Sequence, residues 1–193
     1  MTDHHPYRIG TRSGDLYVLW RRGEGDDRDA VAADDRGRLL AFHAVRSAEE
    51  HCARHHRDFV TDAESSLDLE PVAEWVRAPG PVPAAELLEA WNFFEDLAQG
   101  VDTSLALPVQ GAAHDAAYDR FFEAGDGALW TDGEAAAAHD LLRIGLALWE
   151  EAVRGAVVPD AHLLARRAGT GSPPVPDAFS PTGHENGQCR TNT

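Results

Sequence analysis

What most limits the fold of this chain is one long apolar helix, foreseen between Thr131 and Gly155. Thr131-Asp132-Gly133-Glu134 matches a capping box, in which the threonine hydroxyl and the glutamate carboxylate satisfy backbone N–H groups reciprocally. Beyond it Leu141, Leu142, Ile144, Leu146, Leu148, Trp149 and Val153 cover most of the helix circumference, ending near Arg154 with Gly155 after it. Only Asp140, Arg143, Glu150, Glu151 and Arg154 leave a polar stripe. A helix with so little polar surface has to be buried, so other elements must wrap it.

The first forty-odd residues follow a different pattern. Tyr7-Arg8-Ile9, the turn pair Ser13-Gly14 and Leu16-Tyr17-Val18-Leu19-Trp20 read as a hairpin, by their aromatic and β-branched content. Ala30-Val31-Ala32-Ala33, the turn Asp34-Asp35-Arg36-Gly37 and Leu39-Leu40-Ala41-Phe42 read as a second one. Ser47 and Glu50 match another capping box, predicting a helix from Ser47 to about Arg57, and Phe59-Val60 a short returning strand. Asp68 is placed to cap a short helix over Leu69–Arg77, with Pro71 in its first turn and Val72, Trp75 and Val76 on its apolar face.

Ala78-Pro79-Gly80-Pro81 marks the clearest hinge, and helical periodicity begins beyond it. From Pro83 to Gln99, Leu87, Leu88, Trp91, Phe94, Leu97 and Ala98 share one face, with Gly100 at a C-terminal cap position. A loop through Pro108 and Gly111 leads to a helix holding Ala117, Tyr118, Phe121 and Phe122, and a short helix is expected around His162–Arg167. The sum is an α+β fold. Residues 1–78 form a small antiparallel sheet with one or two helices, 79–167 an acidic unit of three to four helices packed on it, and 168–193 a disordered tail rich in Gly, Pro and Ser.

Charge is distributed unevenly over the 193 residues, whose formal net charge is −16. Residues 1–57 carry 10 acidic residues against 10 arginines, residues 58–160 carry 21 against 4, and residues 161–193 carry 2 against 3. A field of that sign in the middle of the chain disfavours nucleic acid and anionic membranes and attracts basic partners and cations. All 17 basic residues are arginine, a bias that coding composition accounts for. The absence of lysine excludes a P-loop or Schiff-base mechanism. No apolar stretch is long enough for a membrane span, no signal peptide is visible, and two cysteines, Cys52 and Cys189, make no disulfide framework. A cytoplasmic protein is the expectation.

Motifs of the serine hydrolases, zinc peptidases, redox dithiols and carboxylate-bridged di-iron bundles are all missing, and no catalytic residue is assigned. Three constellations remain. His51-Cys52-Ala53-Arg54-His55-His56 sets His51 and His55, and Cys52 and His56, four residues apart on a helix. His51 and His55 could share Zn²⁺, the one cofactor the chain suggests, with His43 or an acidic residue completing the site; a surface role, with Cys52 buried, is the plainer alternative. A polar line of Glu89, Asn92 and Asp96, with His114, Asp115, Asp119, His139 and Asp140, could build a carboxylate and histidine pocket, or merely a wet helix face. Phe93 falls off the main apolar face beside Glu95. It reads either as an exposed aromatic ringed by carboxylates, suited to docking on a basic surface, or as a second core contact.

The stretches Leu87-Leu88-Glu89-Ala90-Trp91-Asn92-Phe93-Phe94-Glu95-Asp96 and Tyr118-Asp119-Arg120-Phe121-Phe122, followed by the leucine-rich helix, resemble a group of small actinobacterial proteins associated with immunity to secreted toxins. The likeness runs over residues 7–155 and carries no catalytic motif. It implies an immunity or antitoxin-like inhibitor, and the acidic charge suits covering the basic active site of a toxin such as a nuclease. Glu89, Phe93, Glu95 and Asp96 are the expected partner contacts. The alternative is a small metalloprotein or metal-dependent enzyme built on the histidine cluster.

Overall fold

The run Leu16-Tyr17-Val18-Leu19-Trp20 shows no hydrophobic alternation because its strand is covered on both faces. In the computed structural model, which describes residues 3–61, 65–80, 82–123 and 130–158, Val18 and Leu19 are adjacent and both fully buried. They belong to different apolar clusters, as neighbours on a pleated strand must when each face is covered.

Strand β1 (Asp3–Thr11) and strand β2 (Gly14–Arg21) form the antiparallel centre of the sheet, with Pro6 opposite Leu19 and Tyr7 opposite Val18. Arg12 and Ser13 make the turn, and Gly14 after it has a φ of +116°, a conformation open to glycine. Strands β3 (Ala30–Val31) and β4 (Ala41–Phe42) both add antiparallel to the free edge of β2, at Trp20–Arg21 and Tyr17–Val18. The turn between them forms as foreseen. Asp34 accepts from the backbone N–H of Arg36 and Arg38 and from the Arg38 guanidinium, which together hold its carboxyl at about 2.

Helix α1 (Val45–Arg54) then carries the chain across one face, burying Ala48 and Cys52 against Leu19, Leu40 and Phe42. Strands β5 (Asp58–Phe59) and β6 (Ser65–Asp68) return on the other edge of β1 and run parallel to it. The sheet is therefore mixed, not antiparallel as expected. A chain that leaves a sheet through a helix layer can re-enter beside its first strand in the same direction, which a tight hairpin cannot do.

Helices α2 (Glu70–Arg77), α3 (Ala84–Gly100), α4 (Ala112–Glu123) and α5 (Asp132–Gly155) pack on the opposite face. The fold is α+β, and the core on this side runs without a break from Ile9, Val18 and Val31 to Leu87, Phe94, Leu141 and Leu148. All the described residues belong to one contact unit. The helix expected at His162–Arg167 and the tail 168–193 lie outside the described residues. Among those described, no helix is long and apolar enough to cross a membrane.

Local capping differs between the two foreseen boxes. At α5 both halves form: Glu134 N–H donates to Thr131 Oγ1 at 3.3 Å and Thr131 N–H to Glu134 Oε2 at 2.8 Å. Those bonds hold the Glu134 carboxyl below its usual range, and the Arg120 guanidinium at 3.3 Å adds to it, tying α4 to α5. At α1 the box does not form. Ala44 is the cap residue, Ser47 lies inside the first turn, and Glu50 pairs with Arg46 instead. Asp68 accepts from the Glu70 N–H at 2.9 Å, but the cap residue is Leu69 and α2 begins at Glu70, one residue later than expected.

Two glycines allow the close approaches. A side chain at Gly100 would collide with the Val31 carbonyl oxygen, where α3 crosses β3, so this glycine serves packing and Val101 is the cap residue. One at Gly145 would enter the ring of Phe94, where α5 crosses α3. Gly145→Ala is accordingly expected to lower stability in urea unfolding by about 1–3 kcal/mol through overpacking, despite the roughly 1 kcal/mol helix preference of alanine. A gain in stability would show that the Phe94 ring yields.

Candidate functional site

On α3, Glu89, Asn92, Phe93 and Asp96 are spaced i, i+3, i+4 and i+7, so they form one stripe along the helix. That stripe borders a cleft of about 500 Å³, whose other walls come from His5, Pro6 and Tyr7 of β1, Trp20 of β2, Asp29 before β3, Ser65 of β6 and Tyr118 of α4. All four expected partner contacts, Glu89, Phe93, Glu95 and Asp96, line it.

Of the two readings of Phe93, the core contact is the one the structure has. It is 2% exposed, with its ring 5.7 Å from Tyr7, 5.7 Å from Phe94 and 5.5 Å from Trp149. Because α3 is packed against the sheet, α4 and α5 together, its buried surface is wider than one apolar stripe, and Phe93 becomes a wall between core and cleft. The exposed aromatic is Phe122 of α4, 67% exposed, with its ring 5.4 Å from Tyr118.

Neutral donors hold the carboxylates in place. Tyr7 Oη donates to Glu89 Oε1 at 2.9 Å, and Trp20 Nε1 donates to Asp96 Oδ2 at 2.9 Å. Trp91 Nε1 at 3.2 Å and the Gln110 amide donate to Glu95 Oε1, while Gly23 N–H donates to Asp29 Oδ1 at 2.8 Å. Tyr118 Oη donates to Asn92 Oδ1 at 3.0 Å. Ion pairs occur elsewhere, at Arg8–Asp15, Arg12–Glu70, Arg38–Asp34, Arg46–Glu50, Arg120–Glu134 and Arg143–Asp140. Among the described residues no arginine pairs with Asp29, Glu89, Glu95 or Asp96.

Burial pushes Asp96 up to about 6, the Trp20 hydrogen bond opposes the shift, and the charges of Asp29 and Glu95 add to it. Burial, with Glu89 beside it, pushes the Tyr7 hydroxyl far above its ordinary value, so Tyr7 remains a hydrogen-bond donor.

The rest of the expected carboxylate and histidine pocket is divided. Asp115 and Asp119 border a smaller cavity of about 230 Å³ with Trp91, Gln110, Glu95 and Tyr118, and the last two residues also line the main cleft. His114 stands 6.1 Å from the Trp91 ring. His139 bonds instead to the Val76 carbonyl of α2 at 2.9 Å, and Asp140 pairs with Arg143. These two residues serve helix packing and the outer surface.

The histidine cluster is only half assembled. The rings of His51 and His55 lie 4.4 Å apart, with His51 buried and 5.4 Å from Phe42. Since α1 ends at Arg54 and His56 has a φ of 54°, the helical spacing of Cys52 and His56 is not realised. His43 borders a groove with Arg12, Trp149 and Arg154. Among the described residues no group of three His, Cys, Asp or Glu lies close enough to hold a metal ion. Cys52 is fully buried, and burial pushes its thiol up, the reverse of what activates a nucleophile.

Asp96 generates a stability prediction. Its folded value of about 6 lies above the ordinary 3.8, so the folded state binds the proton more tightly and stability falls as pH rises through that window. Asp96→Asn keeps an acceptor for Trp20 and removes the charge. After allowance for solvent screening it is expected to stabilise the protein by about 1 kcal/mol at pH 7.5, the gain vanishing by pH 4 in thermal or urea unfolding. Equal gains at both pH values would count against a raised Asp96. No protein-family model, curated protein or solved structure matches the chain.

Proposed function

We propose that this chain is an acidic protein-binding protein of the immunity or antitoxin type, a cytoplasmic inhibitor that covers the basic surface of a toxin or enzyme. The observation that carries the reading is the cleft itself. Asp29, Glu89, Glu95 and Asp96 face one concavity among aromatic rings, and no cation of the described chain neutralises them. Asp29, Glu95 and Asp96 are half-buried and Glu89 is exposed, and a partner that supplies positive charge offsets the cost of desolvating them on binding. The excess of acidic residues over residues 58–160 draws such a partner in from a distance. Phe122, exposed beside Tyr118 of the cleft wall, adds an apolar anchor.

The tagged chain is expected to capture a protein of net positive charge from its native host and to suppress that protein's toxicity or activity. Glu89→Arg together with Glu95→Arg should slow association at least about tenfold at low ionic strength and flatten its salt dependence. Unchanged association kinetics with the captured partner would overturn the reading. Phe122→Ala should leave the thermal unfolding midpoint nearly unchanged while speeding dissociation of the complex.

A further inference from the structure

We infer that the cleft is a receptor for a guanidinium group, the arginine side chain of a basic protein partner. The inference rests on the partner reading above and adds which chemical group the site selects.

Three observations lead to it. The first is the spread of the acids. Asp29 precedes β3, while Glu89, Glu95 and Asp96 lie on α3, and no three acidic, histidine or cysteine groups among the described residues are close enough for a metal ion. A hard divalent cation needs several oxygens at one point about 2.3–2.6 Å away, so the matching ligand is an extended cation instead. The second is how the acceptors are left. Each of the four carboxylates has one oxygen engaged by Tyr7, Trp20, Trp91 and Gln110, or Gly23, and its other oxygen takes no hydrogen bond from the described residues. Separated single acceptors suit a planar fork with five N–H donors better than an ammonium with three donors on one nitrogen.

The third is the wall chemistry. Trp20 and Tyr118 line the same cavity as the carboxylates, and each is oriented by a hydrogen bond, to Asp96 and to Asn92. A guanidinium is weakly hydrated and stacks on aromatic faces, whereas an ammonium keeps its water more strongly. At about 500 Å³ the cleft also has room for the guanidinium and its aliphatic stem.

The full chain titrated with N-acetyl-arginine amide, N-acetyl-lysine amide and N-acetyl-citrulline amide tests this without the natural partner. The expected result is binding of the arginine probe at least about tenfold tighter than the lysine probe, with no binding of the neutral citrulline probe. The Trp20 indole N–H resonance should shift during the arginine titration, placing the probe in the cleft. Glu89→Gln and Asp96→Asn should each weaken arginine binding about tenfold, the loss of one charge-assisted hydrogen bond. Equal affinity for arginine and lysine overturns the guanidinium assignment while leaving the basic-partner reading intact. Agmatine binding more tightly than a ten-residue peptide with a central arginine overturns the assignment to a protein side chain. Because the three probes are compared on the unaltered chain, a variant that misfolds leaves that comparison intact.

Discussion

Two neighbouring residues on β2, Val18 and Leu19, point to opposite faces of the sheet and are both withdrawn from solvent. The rest of the architecture answers the demand to cover both faces at once. Helix α1 closes the smaller face, where Leu19, Leu40 and Phe42 meet Ala48 and Cys52. The other face receives α2, α3 and α5, with Trp91, Phe94, Leu141 and Leu148 filling the space above Ile9, Val18 and Val31. Close approach of these layers depends on Gly100 over Val31 and Gly145 over Phe94. Native packing density leaves no slack for a methyl group at either crossing.

Where α3 passes the end of the central hairpin, the same packing creates the acidic cleft. Its charge is a consequence of how the arginines are spent. Residues 1–57 hold 10 of the 17, and four of the observed ion pairs use them. In residues 58–160 only four arginines exist, and two of these, Arg120 and Arg143, are committed to Glu134 and Asp140. The carboxylates along α3 are left with hydroxyl, indole and amide donors, which orient them without cancelling their charge. Burial raises the titration of Asp96, and the neighbouring charges of Asp29 and Glu95 add to it.

Much of the fold was legible along the chain because its signals are local. The capping box at Thr131 and Glu134, the Asp34–Gly37 turn and the 3.6-residue period of α3 each act within a few residues. The box at Ser47 failed because local pattern competes with tertiary context: α1 starts earlier, at Val45, where the chain leaves β4. The parallel direction of β5 and β6 was not legible, since pairing partners in a sheet leave no local trace. Of the site, the stripe Glu89, Asn92 and Asp96 was visible as spacing. Tyr7 and Trp20 were not, because they meet Glu89 and Asp96 across 82 and 76 residues of sequence.

The sequence by itself determined the α+β class, the capped helix α5 and the position of the acidic excess, all properties of periodicity and composition that survive any arrangement of the elements. Tertiary structure alone decided that Phe93 is a core wall and Phe122 an exposed ring, that Cys52 and His56 part company, and that carboxylates from two regions face one cleft. Burial of a given ring and pairing of a given charge depend on what lies opposite. That is settled only when distant elements pack.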